Sequence, residues 1–154
     1  MPSSKSDSSG ILRIIDANFN RISEGLRLLE EIARMLLDDA GLTQQLKSLR
    51  HDVIRGDVSF QQRLLQARDS AGDVGIDIEV AGEDKGKELP IVLVANAKRV
   101  QESLRVLEEL SKVPGAPPEL DSEKFKHARF KLYTIEQELM AKLLEQDKKA
   151  DKRK

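Results

Sequence analysis

The chain has 154 residues, a net charge of −1 and no cysteine. That length suits one domain with a real core, and the missing thiols exclude disulfides, thiol catalysis and cysteine-held metals. The near-neutral balance predicts no general affinity for nucleic acid or anionic membranes, and 34% charged with only 3% aromatic residues suits an aliphatic helical bundle rather than a sheet protein. The opening MPSSKSDSSG lacks the apolar stretch of a signal peptide, and no run approaches the ~18 apolar residues of a membrane span. The expected location is the cytoplasm.

Residues 1–9 are Ser-rich and polar and are expected to be disordered. A single all-α domain is expected over 10–146. Its first helix runs from about Gly10 to Asp39, on an apolar arc of Ile11, Ile15, Ile22, Leu26, Leu29, Ile32, Ala33 and Leu36. Ala40-Gly41 is the stop signal. Thr43 is the expected N-cap of a second helix carrying Leu46, Leu49, Val53 and Ile54. Gly56-Asp57 interrupts it, and Ser59 with Gln62 has the form of a capping box for a short helix over 59–67. The stretch from Arg68 to Glu88 reads as a long Gly-rich loop, functional or disordered. In it Val74 looks buried, and Ile76, Ile78 and Val80 alternate without a partner strand. Gly82 with Gly86-Lys87 mimics a phosphate-binding loop. Its spacing is one residue short, however, and Glu88 stands where a magnesium-binding hydroxyl is needed. Pro90 suits the first turn of a fourth helix reaching about Val113. Pro114–Pro118 breaks it. A fifth helix, 119–146, carries Phe125, Ala128, Leu132, Ile135, Leu139 and Leu143 at helical spacing. Residues 147–154 form a polar, basic tail, read as a frayed helix end or the start of a linker.

The chain repeats itself. Ala17–Arg34 aligns with Ala95–Lys112 at a constant offset of 78 residues, with nine identities in eighteen positions. The shared pattern is N-x-x-R-x-x-E-x-L-R-x-L-E-E. Past it, Leu46 corresponds to Phe125, Arg50 to Arg129 and Val53 to Leu132. The halves, about 11–55 and 90–135, are therefore expected to be similar helical hairpins packed about a pseudo-twofold axis. Gly25 and Ser103, equivalent small residues on the apolar arcs, could mark a close crossing of the two long helices.

Asn18 falls in the middle of the apolar arc, where a buried amide must find partners or cost a few kcal/mol. Arg21 and Glu24 follow at the arc's edge, and Asn96, Arg99 and Glu102 repeat the arrangement. The two triplets could line one polar cavity; alternatively the amides bond locally. Arg27, Glu30, Glu31 and their copies Arg105, Glu108 and Glu109 read as ordinary exposed i,i+3 and i,i+4 pairs. His51 and His127 stand in no metal-ligand spacing, and neither zinc, haem nor a dinucleotide is expected. What remains is a set of cations (Arg21, Arg68, Lys98, Arg99, Arg129) and carboxylates (Glu24, Asp69, Asp73, Glu102). Arginine forks onto phosphate oxygens, and one or two carboxylates can hold magnesium against a polyphosphate. Paired amides can read an aminopyrimidine edge as they read adenine.

In order, RIIDANFNRISEGLRLLEEIAR, ARDSAGDVG, VANAKRVQESLRVLEEL and FKHARFKLYTIE resemble the small all-helical domain found N-terminal to thiamine-phosphate synthase in some bacteria, and sometimes encoded alone. The resemblance spans nearly all of residues 11–140. It implies an ATP- and Mg2+-dependent kinase, unrelated in fold to the ribokinase-like enzymes, that converts hydroxymethylpyrimidine phosphate to the diphosphate used in thiamine biosynthesis. On that reading Arg99, Glu102 and Asp73 are the catalytic candidates. Asn18, Arg21, Glu24, Arg68, Asn96, Lys98 and Arg129 bind substrate or phosphate, and Asp69 with Asp73 holds the metal. Thiamine-phosphate synthase is the implied protein partner, fused or separate, and a homodimer is left open. No synthase barrel follows Lys154, so a stand-alone enzyme and an excised domain both remain open. The competing reading is a non-catalytic helical interaction or dimerisation module accompanying the synthase. The synthase reaction itself is disfavoured, because nothing here offers a barrel or its phosphate loops.

Overall fold

A computed structural model of the chain describes residues 5–54, 56–78 and 88–153. These residues form five α-helices and no strand. Helix α1 (Lys5–Glu31) runs on into a π-helical turn over Ile32–Leu36. It is followed by α2 (Ala40–Ile54), α3 (Val58–Ala67), α4 (Leu89–Leu110) and α5 (Ser122–Lys152). No described helix is long and apolar enough to cross a membrane.

The four long helices close a ring. Helix α1 pairs with α2 and α4 with α5, and the two hairpins join through α1 against α4 and α2 against α5; α3 lies mainly on α1. A twofold exchange of the hairpins maps each contact among the four long helices onto another or onto itself, as the repeat requires, while α3 has no counterpart. The buried positions agree. Ile22 and Val100, Leu26 and Leu104, Leu29 and Leu107, Leu46 and Phe125, and Val53 and Leu132 are all in the core. Burying each such side chain contributes roughly 1.5–3 kcal/mol. Polar detail repeats too. Arg50 Nη2 lies 3.1 Å from Glu30 Oε2, and Arg129 Nη2 lies 3.1 Å from Glu108 Oε1. Each hairpin is thus stapled by the same arginine–glutamate pair. Glu30 and Glu108 are buried rather than exposed, so the expected surface pairing within one helix is not their main role. Glu108 does keep lesser contacts with Arg105 and Lys112 on its own helix, both at 3.7 Å.

Several boundaries differ from expectation, each for a local reason. Helix α1 already begins at Lys5, ahead of Gly10, within a segment expected to be disordered. Its α-helical part stops at Glu31, well short of Asp39, and Asp38 then takes a left-handed φ of 49° that ends the chain direction. The cap of α2 is Asp39, whose Oδ1 accepts from Leu42 N at 2.8 Å; Thr43 instead donates its hydroxyl to Asp39 O. Asp57, not Ser59, caps α3 through a 2.6 Å bond from Phe60 N. Asp121 caps α5, which continues through the expected tail to Lys152. Pro90 does sit in the first turn of α4. Val74 is 90% exposed, not buried, and Ile76 and Ile78 are exposed in turns. Val80 and the segment 82–87, with its discarded phosphate-loop likeness, lie outside the described residues.

Candidate functional site

The site begins where the two repeat helices cross. Gly25 on α1 faces Val100 on α4 so closely that a Cβ there would collide with Val100 Cγ2 and lie 3.4 Å from the Asn96 carbonyl oxygen. The small residue expected to mark a crossing therefore does so. Close approach of the backbones brings the flanking polar residues onto one groove of about 460 Å³. Asn18, Arg21 and Glu24 line it from α1, and Asn96, Arg99 and Glu102 from α4, with Ser103 and Val106 beside them.

Both amides are anchored identically. Asn18 Nδ2 donates to Ile14 O and Asn96 Nδ2 to Val92 O, each at 2.8 Å and each four residues back. The local bonding and the shared groove therefore coexist. One amide hydrogen holds the rotamer, and the rest of the head group borders the groove. Asn18 is the more enclosed, at 3% exposure. Arg21, Glu24, Arg99 and Glu102 are exposed, and among the described residues no ion pair engages them. Of their neighbours in the same pattern, Glu30 and Glu108 are committed to the staples and Arg105 to Glu109 at 3.0 Å.

A side chamber of about 390 Å³ adjoins the groove, and Asn18 and Arg21 line both. The start of the central loop forms its rim with Arg68, Asp69, Ser70 and Asp73. Arg68 is locked to α1 by a two-pronged pair, Nε to Asp16 Oδ2 at 2.8 Å and Nη2 to Asp16 Oδ1 at 2.9 Å. That hydrogen bond and the Asp16 charge raise the Arg68 guanidinium above its ordinary range. Asp69 Oδ1 accepts from Gly72 N, and Asp73 Oδ1 from Gly75 N, each at 2.8 Å. Among the described residues the second oxygen of each carboxylate has no hydrogen-bond partner. A side chain at Gly72 would collide with the Asp69 carboxylate, so the glycine keeps this turn in place. No group of three or more His, Cys, Asp or Glu among the described residues could hold a metal unaided.

Two expected residues stand elsewhere. Lys98 is exposed and lines neither cavity. Arg129 is the staple of the second hairpin. It donates to Glu108 and, from Nη1, to Tyr133 Oη at 3.1 Å, with its guanidinium 5.0 Å from the Phe130 ring centroid. Its equivalence to Arg50 already pointed there. Burial alone would push the Glu108 carboxyl up, but the hydrogen bond and charge of Arg129, with Arg105 and Lys112, hold it below the usual range. Three chamber residues escaped sequence reasoning: Arg13, Asp16 and Asn20. The signal for the first two was disagreement between the copies, since Ile91 and Val94 occupy their equivalent positions.

The pattern of the ThiD2 family matches residues 13–138. This chain belongs to the ThiD2 family. It is also similar to proteins named thiamine-phosphate synthase. It is 46% identical over 109 residues to one from Rhodopirellula baltica, covering 69% of this chain and 28% of that protein. To one from a Nostoc species it is 38% identical over 130 residues, covering 84% of this chain and 35% of the other. To one from a Synechocystis species it is 37% identical over 138 residues, covering 90% and 38%. The ThiD2 chain thus spans about a third of the length of these relatives. No solved structure matches it.

Proposed function

We propose that this ThiD2-family chain acts in thiamine biosynthesis as a phosphotransferase, moving the γ-phosphoryl group of ATP onto hydroxymethylpyrimidine phosphate. The observation that carries the reading is the convergence of two Asn-Arg-Glu triplets on one groove, with a charged chamber at its side. Arginine forks suit phosphate oxygens, and amide and carboxylate groups suit an aminopyrimidine edge. Arg99 is the candidate for steadying the phosphoryl group in flight, Glu102 and Asn96 for orienting the pyrimidine, and Asn18, Arg21 and Glu24 for the opposite wall. Asp69 and Asp73 fit magnesium, which commonly takes one or two carboxylates and completes its shell with water and phosphate oxygens. When bound it would neutralise charge on the polyphosphate. The similarity to thiamine-phosphate synthases supports the pathway.

The test is product formation by the full folded chain, given ATP, magnesium and hydroxymethylpyrimidine phosphate. The diphosphate is followed by chromatography or by coupling to a purified thiamine-phosphate synthase. Diphosphate accumulating in proportion to protein is expected. None above a control without protein sinks the kinase reading. The interaction-module reading draws on Val74, Ile76 and Ile78, apolar yet exposed in the loop that follows Asp73. It predicts instead that the chain binds or stimulates a separate synthase without consuming ATP.

A further inference from the structure

The lining of the groove is paired by the duplication: Asn18 with Asn96, Arg21 with Arg99, Glu24 with Glu102. The two substrates of a phosphoryl transfer are unlike, so a twofold groove alone gives neither a reason to choose a side. The chamber supplies the difference. Arg13 and Asp16 have Ile91 and Val94 as their equivalents on α4, which are apolar and exposed. Arg68, Asp69 and Asp73 come from a loop between the repeats. Arg68 and Asp16 neutralise each other. The remaining charged residues of the chamber lining are Arg13, Arg21, Asp69 and Asp73, and among the described residues one oxygen of each of the two carboxylates has no hydrogen-bond partner. Cations and carboxylates side by side match a metal-bound polyphosphate better than a single phosphate ester, whose charge a carboxylate only opposes. Arg13 is also available. Its one described bond, Nη2 to the Asp69 carbonyl oxygen, is 3.3 Å long, and a phosphate oxygen would be the stronger acceptor.

Resting on the kinase reading above, we infer that the chamber beside the N-terminal half of α1 takes the triphosphate of the nucleotide, with Arg13 as a phosphate ligand, and that the twofold groove takes the pyrimidine phosphate. Transfer then occurs at the junction that Asn18 and Arg21 share. An oxygen of the pyrimidine phosphate bonds to the γ-phosphorus, the bond from that phosphorus to the β–γ bridging oxygen breaks, and ADP leaves with the electron pair.

Titration calorimetry on the full chain tests this with two probes used separately: a non-hydrolysable ATP analogue with magnesium, and hydroxymethylpyrimidine phosphate. Arg13→Gln should weaken the nucleotide analogue about tenfold or more, the scale of one charge-assisted contact, and leave the pyrimidine phosphate unchanged. Arg13→Lys should recover part of the loss. Glu102→Gln should do the reverse, weakening the pyrimidine phosphate alone. Thermal melting of each variant confirms folding. The assignment is overturned if Arg13→Gln weakens the pyrimidine phosphate instead, if it moves neither, or if the wild-type chain binds no nucleotide. Diphosphate formation separates this from the broader reading. Turnover with nucleotide affinity indifferent to Arg13 removes the subsite and keeps the kinase. Arg13-dependent nucleotide binding with no turnover removes the kinase and keeps the subsite.

Discussion

Arg99 and Arg129 carry the same charge in the same half of the molecule, yet the structure uses them differently. Arg99 is exposed on the groove and outside every described ion pair, whereas Arg129 closes a hairpin. Arg99→Lys keeps the charge and loses the fork, so turnover should fall about 10- to 1000-fold with the melting temperature unchanged. Wild-type turnover in that variant removes Arg99 from the site. Arg129→Met and Arg50→Met should each cost on the order of 1–3 kcal/mol, because each strands a buried glutamate. Turnover per folded molecule should be unchanged in both. A turnover defect confined to Arg129→Met would return Arg129 to the site. The Glu108 carboxyl, held below its ordinary value when folded, adds a pH signature. Its contribution is complete above the unfolded carboxyl value of ~4.3 and is lost as pH falls through the folded value. The melting-temperature gap between wild type and Glu108→Gln, largest near neutral pH, should therefore narrow in acid.

At the scale of elements, the long helices were legible because their apolar positions recur every three or four residues and because Pro90 and Pro114 mark ends. Their caps were harder. Asp39, Asp57 and Asp121 each stand within four residues of a serine or threonine that also caps well (Thr43, Ser59, Ser122), and only the backbone path decides which oxygen meets the first free N–H groups. The groove was readable since the repeat itself advertised Asn18 and Asn96 at apolar positions. The chamber was only half readable: Arg68, Asp69 and Asp73 stood out as a charged, glycine-flanked run, whereas Asp16 became visible as a partner only when α3 laid Arg68 across α1. The crossing at Gly25 gives a sharp test. In an open helix Gly→Ala gains about 0.5–1 kcal/mol. Here the new methyl meets Val100, so Gly25→Ala should instead destabilise by about 1–3 kcal/mol, a drop of roughly 2–4 °C per kcal/mol at this size. Adding Val100→Ala should restore part of it, a non-additivity that thermal melts of the three variants would show. A stabilised Gly25→Ala would mean the helices cross more loosely than described.

Across the whole molecule, each hairpin has its own staple and its own share of the core, while the groove belongs to neither. Its walls come one from each half, and the hairpins meet there through a glycine and a valine rather than through a charged pair. A ligand spanning Asn18 and Asn96 would therefore act as a rivet between two plates that share one core. Because it binds only when the plates are seated, it should raise stability by about 2.7 kcal/mol at a hundredfold excess over its dissociation constant. The gain should also be uneven. Amide hydrogen exchange along the facing stretches of α1 and α4 should slow most, and that of the outer faces of α2 and α5 least. Uniform slowing across all four helices would show that the halves open as one body. Slowing in α1 alone would show that the ligand grips a single plate, and the second Asn-Arg-Glu triplet would then be a relic of duplication.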